Sequence, residues 1–194
     1  ELTVLIQQIN AVTPEWNIVG FYDDQVLQPV INLPVLGSPE NLNSVSKELA
    51  VVIAVGDPHV KQKMVGGLVN PNLYFPSLVH PDTTIGLNIK LGEGSVITAG
   101  CRLTVDIALG KHVLINLNST IGHDVTIGDY SSIMPGVHLS GFVQLGTGVM
   151  VGTGASILQN LKVGDYARVG AGAMVTADVN SGATVTGIPA REKV

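Results

Sequence analysis

From Val79 to Val175, every sixth residue is aliphatic, without exception. This series has seventeen members, and nine of them are followed directly by glycine. A period of six fits neither a single helix, which repeats about every 3.6 residues, nor a two-sided strand, which repeats every two. The residue four positions after each member is mostly small or branched, so two side chains in every six return to one interior. The sequence therefore predicts a parallel β-solenoid filled by its own side chains.

Composition narrows the class of protein further. The chain has 194 residues, of which 45% are hydrophobic and 13% charged, and this excludes a disordered chain. A net charge of −5 without a basic run argues against nucleic acid as the main partner. No apolar stretch approaches the roughly 20 residues that span a bilayer. The single cysteine, Cys101, falls on a small inward position, so we expect a buried thiol, no internal disulfide and a reducing, cytoplasmic location.

Residues 1–76 predict a small parallel α/β domain, because strand and helix patterns alternate there. Glu1–Asn10 and His59–Leu68 are predicted helices, and Asn17–Tyr22 is a predicted short strand. Glu48–Val55 is a continuous apolar run, which is typical of a strand buried on both faces. Since the chain opens on its first helix, we expect the first strand of this sheet and the loop after it to lie upstream.

Residues 77–194 form the second predicted domain, the solenoid with a C-terminal tail. Three six-residue faces would make one triangular turn, so the seventeen repeats fill between five and six turns. The regular spacing predicts that no loop of odd length interrupts the coil between residues 79 and 179. Asp178–Lys193 is predicted to leave the pattern as the tail.

Features beyond the repeat resemble a known family. They are the preceding α/β domain, the stretch Asn118–Asp124 (NSTIGHD), Pro135-Gly136, and the final Gly187–Arg191 (GIPAR). With the repeat [LIV]-G-x-x-x-x, they resemble bacterial sugar O-/N-acyltransferases of the sialic acid O-acetyltransferase type, including the N-acetyltransferase that acts on a UDP-4-amino-sugar in bacillosamine synthesis. The resemblance covers essentially the whole chain. It implies a left-handed β-helix, a hand that the periodicity alone does not set.

The resemblance also implies a reaction and its participants. In this family the N-terminal domain holds a nucleotide-sugar or sugar acceptor, and acetyl-CoA lies along the β-helix between neighbouring subunits of a homotrimer. The chain is therefore expected to be an acetyl-CoA-dependent sugar N-/O-acetyltransferase of bacterial surface-glycan synthesis, with acetyl-CoA as co-substrate and no metal. The family's glycine-rich first loop, part of the acceptor site, would precede Glu1.

His123 is the residue predicted to carry the chemistry. Acetyl transfer from a thioester needs a base that removes the acceptor's proton during attack, and histidine titrates near neutral pH. His123 follows the inward Ile121 by two positions and precedes Asp124. Similarity to the family makes His123 the general base and Asp124 the carboxylate that orients its ring and increases its basicity. The residues alone also fit two polar side chains on an outward position of a solvent-facing coil.

Four further residues are expected at acetyl-CoA. Where the family often has a histidine that contacts acetyl-CoA, this chain has Ser132, whose hydroxyl could donate to the thioester carbonyl. By family alignment, Thr153 and Ala171 offer backbone groups to the pantetheine arm. Gly141, one predicted turn after His123, would leave room for a ligand beside the base; an ordinary turn glycine is the alternative.

The acceptor is expected at the carboxyl ends of the α/β strands, where open parallel sheets bind ligands. Asp23 and Asp24 end one predicted strand, and Gly56 and Asp57 end the next. The resemblance assigns Asp23 and Asp24 to the sugar nucleotide, whose hydroxyls would donate to their carboxylates. Gly56 and Asp57 are expected to line the same crevice. Aspartate also favours turns for local reasons, so acidic loop residues that serve only the fold remain an alternative.

Other functions stay open at this point. Sugar O-acetylation cannot be separated from N-acetylation, because the same base serves both. A catalytically silent solenoid that binds a nucleotide-sugar is a non-enzymatic alternative. Acetylation of a small amino acid is disfavoured by the α/β domain. A zinc hydratase would need His112, His123 and His138 at one ion, but they fall on three different faces of the predicted turn.

Overall fold

The computed structural model describes residues 1–25, 28 and 31–193. Its first part is a small α/β domain in which the strands pair in parallel, β1 with β2 and β3 with β4. A 3-10 helix at Pro39–Ser44 packs beside β1. The helices and strands of this domain are α1 (Leu2–Val12), β1 (Phe21–Tyr22), β2 (Val35–Gly37), β3 (Leu49–Ala50), α2 (Pro58–Gly67) and β4 (Leu73–Tyr74).

Both predicted helices form, and α2 begins at a local signal. The Asp57 carboxylate accepts hydrogen bonds from the backbone N–H groups of His59 and Val60, and Pro58 occupies the first turn, where no N–H is needed. The prediction of a strand buried on both faces over Glu48–Val55 is wrong. Pairing is limited to β3, and the run is half-buried or exposed. The reason is that β4 is the one strand paired with β3 among the described residues.

The second part is a parallel β-solenoid, as predicted. Its strands are mostly very short, and each pairs in parallel with the equivalent strand one coil further along. They are β5 (Leu78–Val79), β6 (Thr84–Lys90), β7 (Val96–Ile97), β8 (Arg102–Leu109), β9 (Leu114–Ile115), β10 (Thr120–Ile121), β11 (Thr126–Ile127), β12 (Ser132–Ile133), β13 (His138–Leu139), β14 (Gln144–Leu145), β15 (Met150–Val151), β16 (Ser156–Ile157), β17 (Lys162–Val163), β18 (Arg168–Val169), β19 (Met174–Val175), β20 (Thr184–Thr186) and β21 (Arg191–Glu192).

The strands stack into three faces. The first face runs β5, β7, β9, β12, β15, β18 and β20, with β21 antiparallel at its end. The second face runs from the start of β8 through β10, β13, β16 and β19, and the third from the end of β8 through β11, β14 and β17. The second and third faces meet at a corner that β8 crosses as one continuous strand. We call this the distal corner, because it lies opposite the first face.

The inward positions form the core predicted from the period. Ile97, Ile115, Ile121, Ile133 and Ile157 are fully buried, as are the smaller side chains between them. The first coil is an exception, because Ile85 and Leu91 are 42% and 37% exposed. They satisfy the repeat, but among the described residues no earlier coil covers them on the second and third faces.

Each corner contains a residue in the left-handed region, which lets the chain turn between short strands. At the distal corner these residues recur once per coil, and four of the five are Asn or Asp, the side chains that tolerate this region best. The series is Asn88, Asp106, Asp124, Phe142 and Asn160, with φ between 55° and 64°.

The spacing of 18 residues per coil changes in the last coil, close to Asp178, where the sequence predicts that the chain leaves the pattern. Val163 pairs with Val179 and Arg168 with Thr184, so this coil is shorter than the ones before it. A side-chain bond accompanies the shorter coil. Asp178 Oδ1 accepts the backbone N–H of Lys162 at 2.8 Å, and these two residues are 16 apart in the sequence. At the corner between the third and first faces, the corresponding aspartate bond, from Thr147 N–H to Asp165, joins residues that are 18 apart.

Candidate active site

His123 and Asp124 lie at the distal corner, directly after β10. Nδ1 of His123 is 2.9 Å from Oδ2 of Asp124, and the two side chains are 51% and 43% exposed. Because a carboxylate only accepts, Nδ1 carries a proton, and in the neutral form of the ring the lone pair is therefore on Nε2. Within the described chain this is the only hydrogen bond of the imidazole, so Nε2 is available to a ligand.

The corner conformation gives Asp124 a structural role in addition. Its φ of 57° belongs to the left-handed series of the distal corner, where Asn or Asp also occurs in coils that have no histidine. An aspartate at this position is therefore explained by the turn alone. The short contact with the imidazole is what the turn does not explain.

The next coil supports the histidine ring. A Cβ at Gly141 would lie 2.6 Å from Nε2 of His123, so glycine here makes room for the imidazole itself. We expected Gly141 to leave space for a ligand beside His123, but the imidazole of His123 itself occupies that space. Phe142 follows, and its ring meets that of His123 edge to face, at 5.0 Å between centroids and 88° between planes.

The α/β domain of the same chain packs on the first face, opposite this corner. Leu5 of α1, Leu78 and Val96 form a small apolar cluster that joins the two parts. Helix α2 is tied down by polar contacts. Arg168 of β18 donates to Oδ2 of Asp57 at 2.9 Å, and this bond lowers the pKa of Asp57. A second group of contacts involves Tyr166. Its ring stacks on that of His59, with 4.8 Å between the ring centroids, and its hydroxyl donates to Gln62.

Lys61 is the most buried charged residue of this interface. It is 3% exposed, and its Nζ donates to Oγ of Ser132 at 3.0 Å. Burial lowers the pKa of Lys61 to about 8, although the nearby Asp57 carboxylate opposes the shift. Ser132 is fully buried beneath it. The expected contact between the Ser132 hydroxyl and acetyl-CoA is therefore not supported by the geometry, because Lys61 covers that side chain.

A cavity of about 340 Å³ separates the strand ends of the α/β domain from the first face. Gly56 lines it, opposite Met134, Asn116 and His112. The ring of His112 is held between those of Phe75 and Tyr130, and burial lowers its pKa. Its Nδ1 faces Gly94 without a hydrogen-bond partner among the described residues. Of the predicted acceptor residues, Gly56 lines this cavity.

Asp23 and Asp24 are exposed at the end of β1. Asp23 accepts from the backbone N–H of Gln25 and lines a different cavity, on the other side of residues 50–55. The structure thus does not bring these two aspartates into one cavity with Gly56.

Thr153 and Ala171 are exposed at the corner between the first and second faces, one coil apart. The backbone N–H of Gly172 bonds to the Thr153 carbonyl, which stacks the two coils there. Within one chain, the predicted base, pantetheine contacts and acceptor residues therefore occupy three separate places.

Two residues of interest were absent from the predicted site. In the sequence Lys61 could meet a phosphate, but it is left out of the predicted site because a single lysine on a helix is usually solvated. Phe142 did give a signal, since it is an aromatic residue in a column that otherwise consists of Asn and Asp.

Residues 1–25, 28 and 31–193 contain neither a cluster of metal ligands nor a membrane-spanning helix. No group of three or more His, Cys, Asp or Glu side chains in this part of the chain is close enough to hold a metal ion. Over the same residues, no helix is long and apolar enough to cross a membrane.

The chain is similar to a known protein family and to several solved structures. Residues 4–68 match the PglD N-terminal domain. The acetyltransferase domain of PglB from Neisseria gonorrhoeae FA1090 is 31% identical, with a TM-score of 0.91 over 98% of this chain and 94% of that one. The same domain has been solved in complex with acetyl coenzyme A. WeeI from Acinetobacter baumannii AYE is 30% identical, with a TM-score of 0.89 over 98% and 94% of the two chains.

A third structure has the same fold at a lower sequence identity. PerB from Caulobacter crescentus, solved with CoA and GDP-perosamine, is 24% identical over 100% of this chain and 92% of that one, with a TM-score of 0.89. A search of curated proteins finds no match. The structural matches confirm the left-handed β-helix that the resemblance implied.

Proposed function

The chain belongs to the bacterial hexapeptide-repeat sugar acetyltransferases, the family of the PglB acetyltransferase domain, and we propose that it acetylates an amino group of a nucleotide-linked sugar with His123 as general base. It is an acetyl-CoA-dependent enzyme, with acetyl-CoA as co-substrate. The match of residues 4–68 to the PglD N-terminal domain supports assigning the acceptor to the α/β domain, through Asp23, Asp24, Gly56 and Asp57.

The observation that carries the proposal is the state of the His123 ring. One nitrogen is held 2.9 Å from a carboxylate, the other has no hydrogen-bond partner in the described chain, and half of the side chain is exposed. A base needs this arrangement, a fixed tautomer with an accessible lone pair. A histidine that served only the fold would need neither the carboxylate nor the open nitrogen.

The reaction follows from this geometry. The acceptor amine attacks the thioester carbonyl as Nε2 of His123 removes its proton, and the carbonyl electrons move onto oxygen. Collapse of the tetrahedral intermediate breaks the C–S bond, and the imidazolium returns its proton to the CoA thiolate. Asp124 stabilises the imidazolium in between. Backbone N–H groups would stabilise the oxyanion. No covalent acyl-enzyme is required, in keeping with the buried position of Cys101.

We propose a homotrimer in which neighbouring chains complete the site. The α/β domain covers the first face of its own coil, whereas His123 is at the distal corner. An acceptor held at the strand ends of one chain can therefore meet the base of another more readily than its own. Acetyl-CoA would lie in the same interface, against Thr153, Ala171 and Gly141. The cytoplasmic location stays a prediction that rests on the single reduced cysteine.

The test is turnover of acetyl-CoA with a panel of nucleotide-linked amino sugars, followed by release of free thiol. His123→Ala should lose roughly 10²- to 10⁴-fold in kcat, the range for loss of a general base, while acetyl-CoA still binds. Asp124→Asn is the matched variant, because Asn keeps the left-handed corner and removes the charge. It should lower kcat about 10- to 100-fold without lowering Tm.

Undiminished turnover in His123→Ala would refute the base assignment. Turnover with sugars that offer only hydroxyl groups would instead select sugar O-acetylation. If no acceptor releases thiol although acetyl-CoA binds, a silent nucleotide-sugar-binding solenoid is the better description.

A further inference from the structure

Phe142 is the exception in the left-handed series of the distal corner. The other four members are Asn or Asp, which tolerate positive φ, whereas Phe142 adopts a φ of 61° with a bulky side chain. Such residues persist where the surroundings over-determine them, and they cluster at functional sites. The same side chain is 48% exposed, so burial of the ring does not explain its presence.

Other aromatic residues adopt this conformation at the corner between the third and first faces, and each has a partner there. Tyr166 stacks on His59 and bonds to Gln62, and Tyr130 stacks on His112. In both cases ring contacts offset the backbone strain. The ring contact of Phe142 is with His123 alone among the described residues.

The repeat of the coil brings Phe142 to that histidine. Gly141 stacks on His123 and Phe142 on Asp124, and the backbone N–H of Phe142 donates to the His123 carbonyl at 2.9 Å. The imidazole is thus bounded on three sides, by the Asp124 carboxylate at Nδ1, by the Gly141 backbone near Nε2, and by the perpendicular ring of Phe142.

We propose that Phe142 is a positioning residue for His123, holding the imidazole so that Nδ1 stays on Asp124 and Nε2 faces the acceptor. This inference rests on the proposed function, in which His123 is the base. Phe142 acts through the orientation of the histidine and touches neither the thioester nor the acceptor nitrogen. An edge-to-face contact prefers this perpendicular geometry, so the ring restricts rotation of its neighbour about χ1 and χ2.

The proposal makes stability and activity move in opposite directions. In Phe142→Asn the corner regains a residue that suits the left-handed region, so Tm should stay equal or rise by up to about 4 °C. Loss of the ring contact should lower kcat about three- to tenfold, with the KM for acetyl-CoA unchanged within about twofold. Phe142→Tyr keeps the ring and should restore kcat.

Asn88→Phe is the matched control. Asn88 occupies the same corner two coils before Asp124, away from His123. Placing phenylalanine there should lower Tm by roughly 2–4 °C without a change in kcat, through the backbone strain together with loss of the hydrogen bond from Asn88 to Asp106. Asn88→Ala loses the same hydrogen bond, so the difference between the two variants isolates the effect of the phenyl group.

A spectroscopic measurement checks the orientation independently of turnover. Long-range ¹H–¹⁵N spectra of ¹⁵N-histidine-labelled protein should show His123 as the Nδ1–H tautomer in the wild type and as a mixture of tautomers in Phe142→Asn. Unchanged kcat with an unchanged tautomer in that variant would overturn the proposal. A loss of kcat that comes with a lower Tm would also overturn it, because Phe142 would then serve the fold.

Failure of the proposed function gives a different result. Full turnover in His123→Ala would refute the assignment of His123 as the base, whatever the turnover of Phe142→Asn. Loss of turnover in His123→Ala together with full turnover in Phe142→Asn removes only the role of Phe142.

Discussion

Replacing Lys61 by methionine tests whether an uncompensated charge lies between the two parts of the chain. Its ammonium is 3% exposed and donates to Ser132, and the nearby Asp57 carboxylate is already bound by Arg168. Methionine has nearly the same length and no charge. The variant therefore removes the charge and two hydrogen bonds, to Oγ of Ser132 and to the Ser131 carbonyl, while the packing is largely kept.

The size of the effect follows from the pKa of Lys61. Burial lowers it from 10.5 to about 8, and this difference is worth about 3 kcal/mol at about 1.4 kcal/mol per pKa unit. Below about pH 8 both the folded and the unfolded chain hold the proton, and the folded chain bears the full cost of the buried charge. Between about pH 8 and 10.5 the unfolded chain binds more protons, so this cost is relieved and stability rises with pH.

The assay is the free energy of unfolding of wild type and Lys61→Met at matched pH values from 7 to 10. From pH 7 to 10, the free energy of unfolding of the wild type should rise by about 2–3 kcal/mol relative to that of the variant. This corresponds to a change of roughly 5–10 °C in the difference between their Tm values. The two lost hydrogen bonds, to Ser132 and to the Ser131 carbonyl, add an offset to this difference. Lys63→Met, an exposed position on the same helix, should show a constant difference from wild type.

A constant difference for Lys61→Met as well would refute the reasoning. It would mean that the ammonium is solvated in solution and that α2 does not pack on Ser132 as described. A difference that moves in the opposite direction would mean that an anionic partner stabilises the charged form.

Two further predictions follow from single contacts. Gly141→Ala places a Cβ 2.6 Å from Nε2 of His123, so it should turn the ring away and lower kcat about 100-fold. Tm should change by no more than a few degrees, because the imidazole is half-exposed. Unchanged kcat would show that the ring is mobile. Cys101 is fully buried, and burial raises the pKa of its thiol. Iodoacetamide should therefore modify Cys101 at least about a hundredfold more slowly in the folded protein than in the denatured protein, as followed by mass spectrometry. Equal rates would mean that the coil opens at that position.

The coil could be predicted because its rule is local. An inward side chain such as Ile121 is fixed by its own position in a six-residue repeat, and the prediction holds wherever a coil lies on both sides. It does not hold for Ile85, which follows the same rule at the open end of the second face. The shorter last coil is likewise invisible to the period, because the register changes without the loss of an aliphatic residue from the series.

The site was predicted less completely, because its contacts join distant parts of the chain. His123 and Asp124 are adjacent, and their hydrogen bond is as the resemblance implied. Lys61 and Ser132 are 71 residues apart, and no spacing rule relates a helix of the α/β domain to one strand of the first face. A hydroxyl at an outward position was therefore expected to be accessible, whereas packing of the α/β domain buries it.

The location of His123 at a corner is itself a physical requirement of an adjacent acid–base pair. On a strand, consecutive side chains point to opposite sides, so a histidine and the aspartate after it cannot form a hydrogen bond there. In each short strand of this coil, such as Thr120–Ile121, one of the two residues also belongs to the core. Only a left-handed corner turns two successive side chains outward together, as the φ of 57° at Asp124 does. A solenoid that uses neighbouring residues as base and orienting carboxylate must therefore carry them between its faces, where the edge of one chain is available to another.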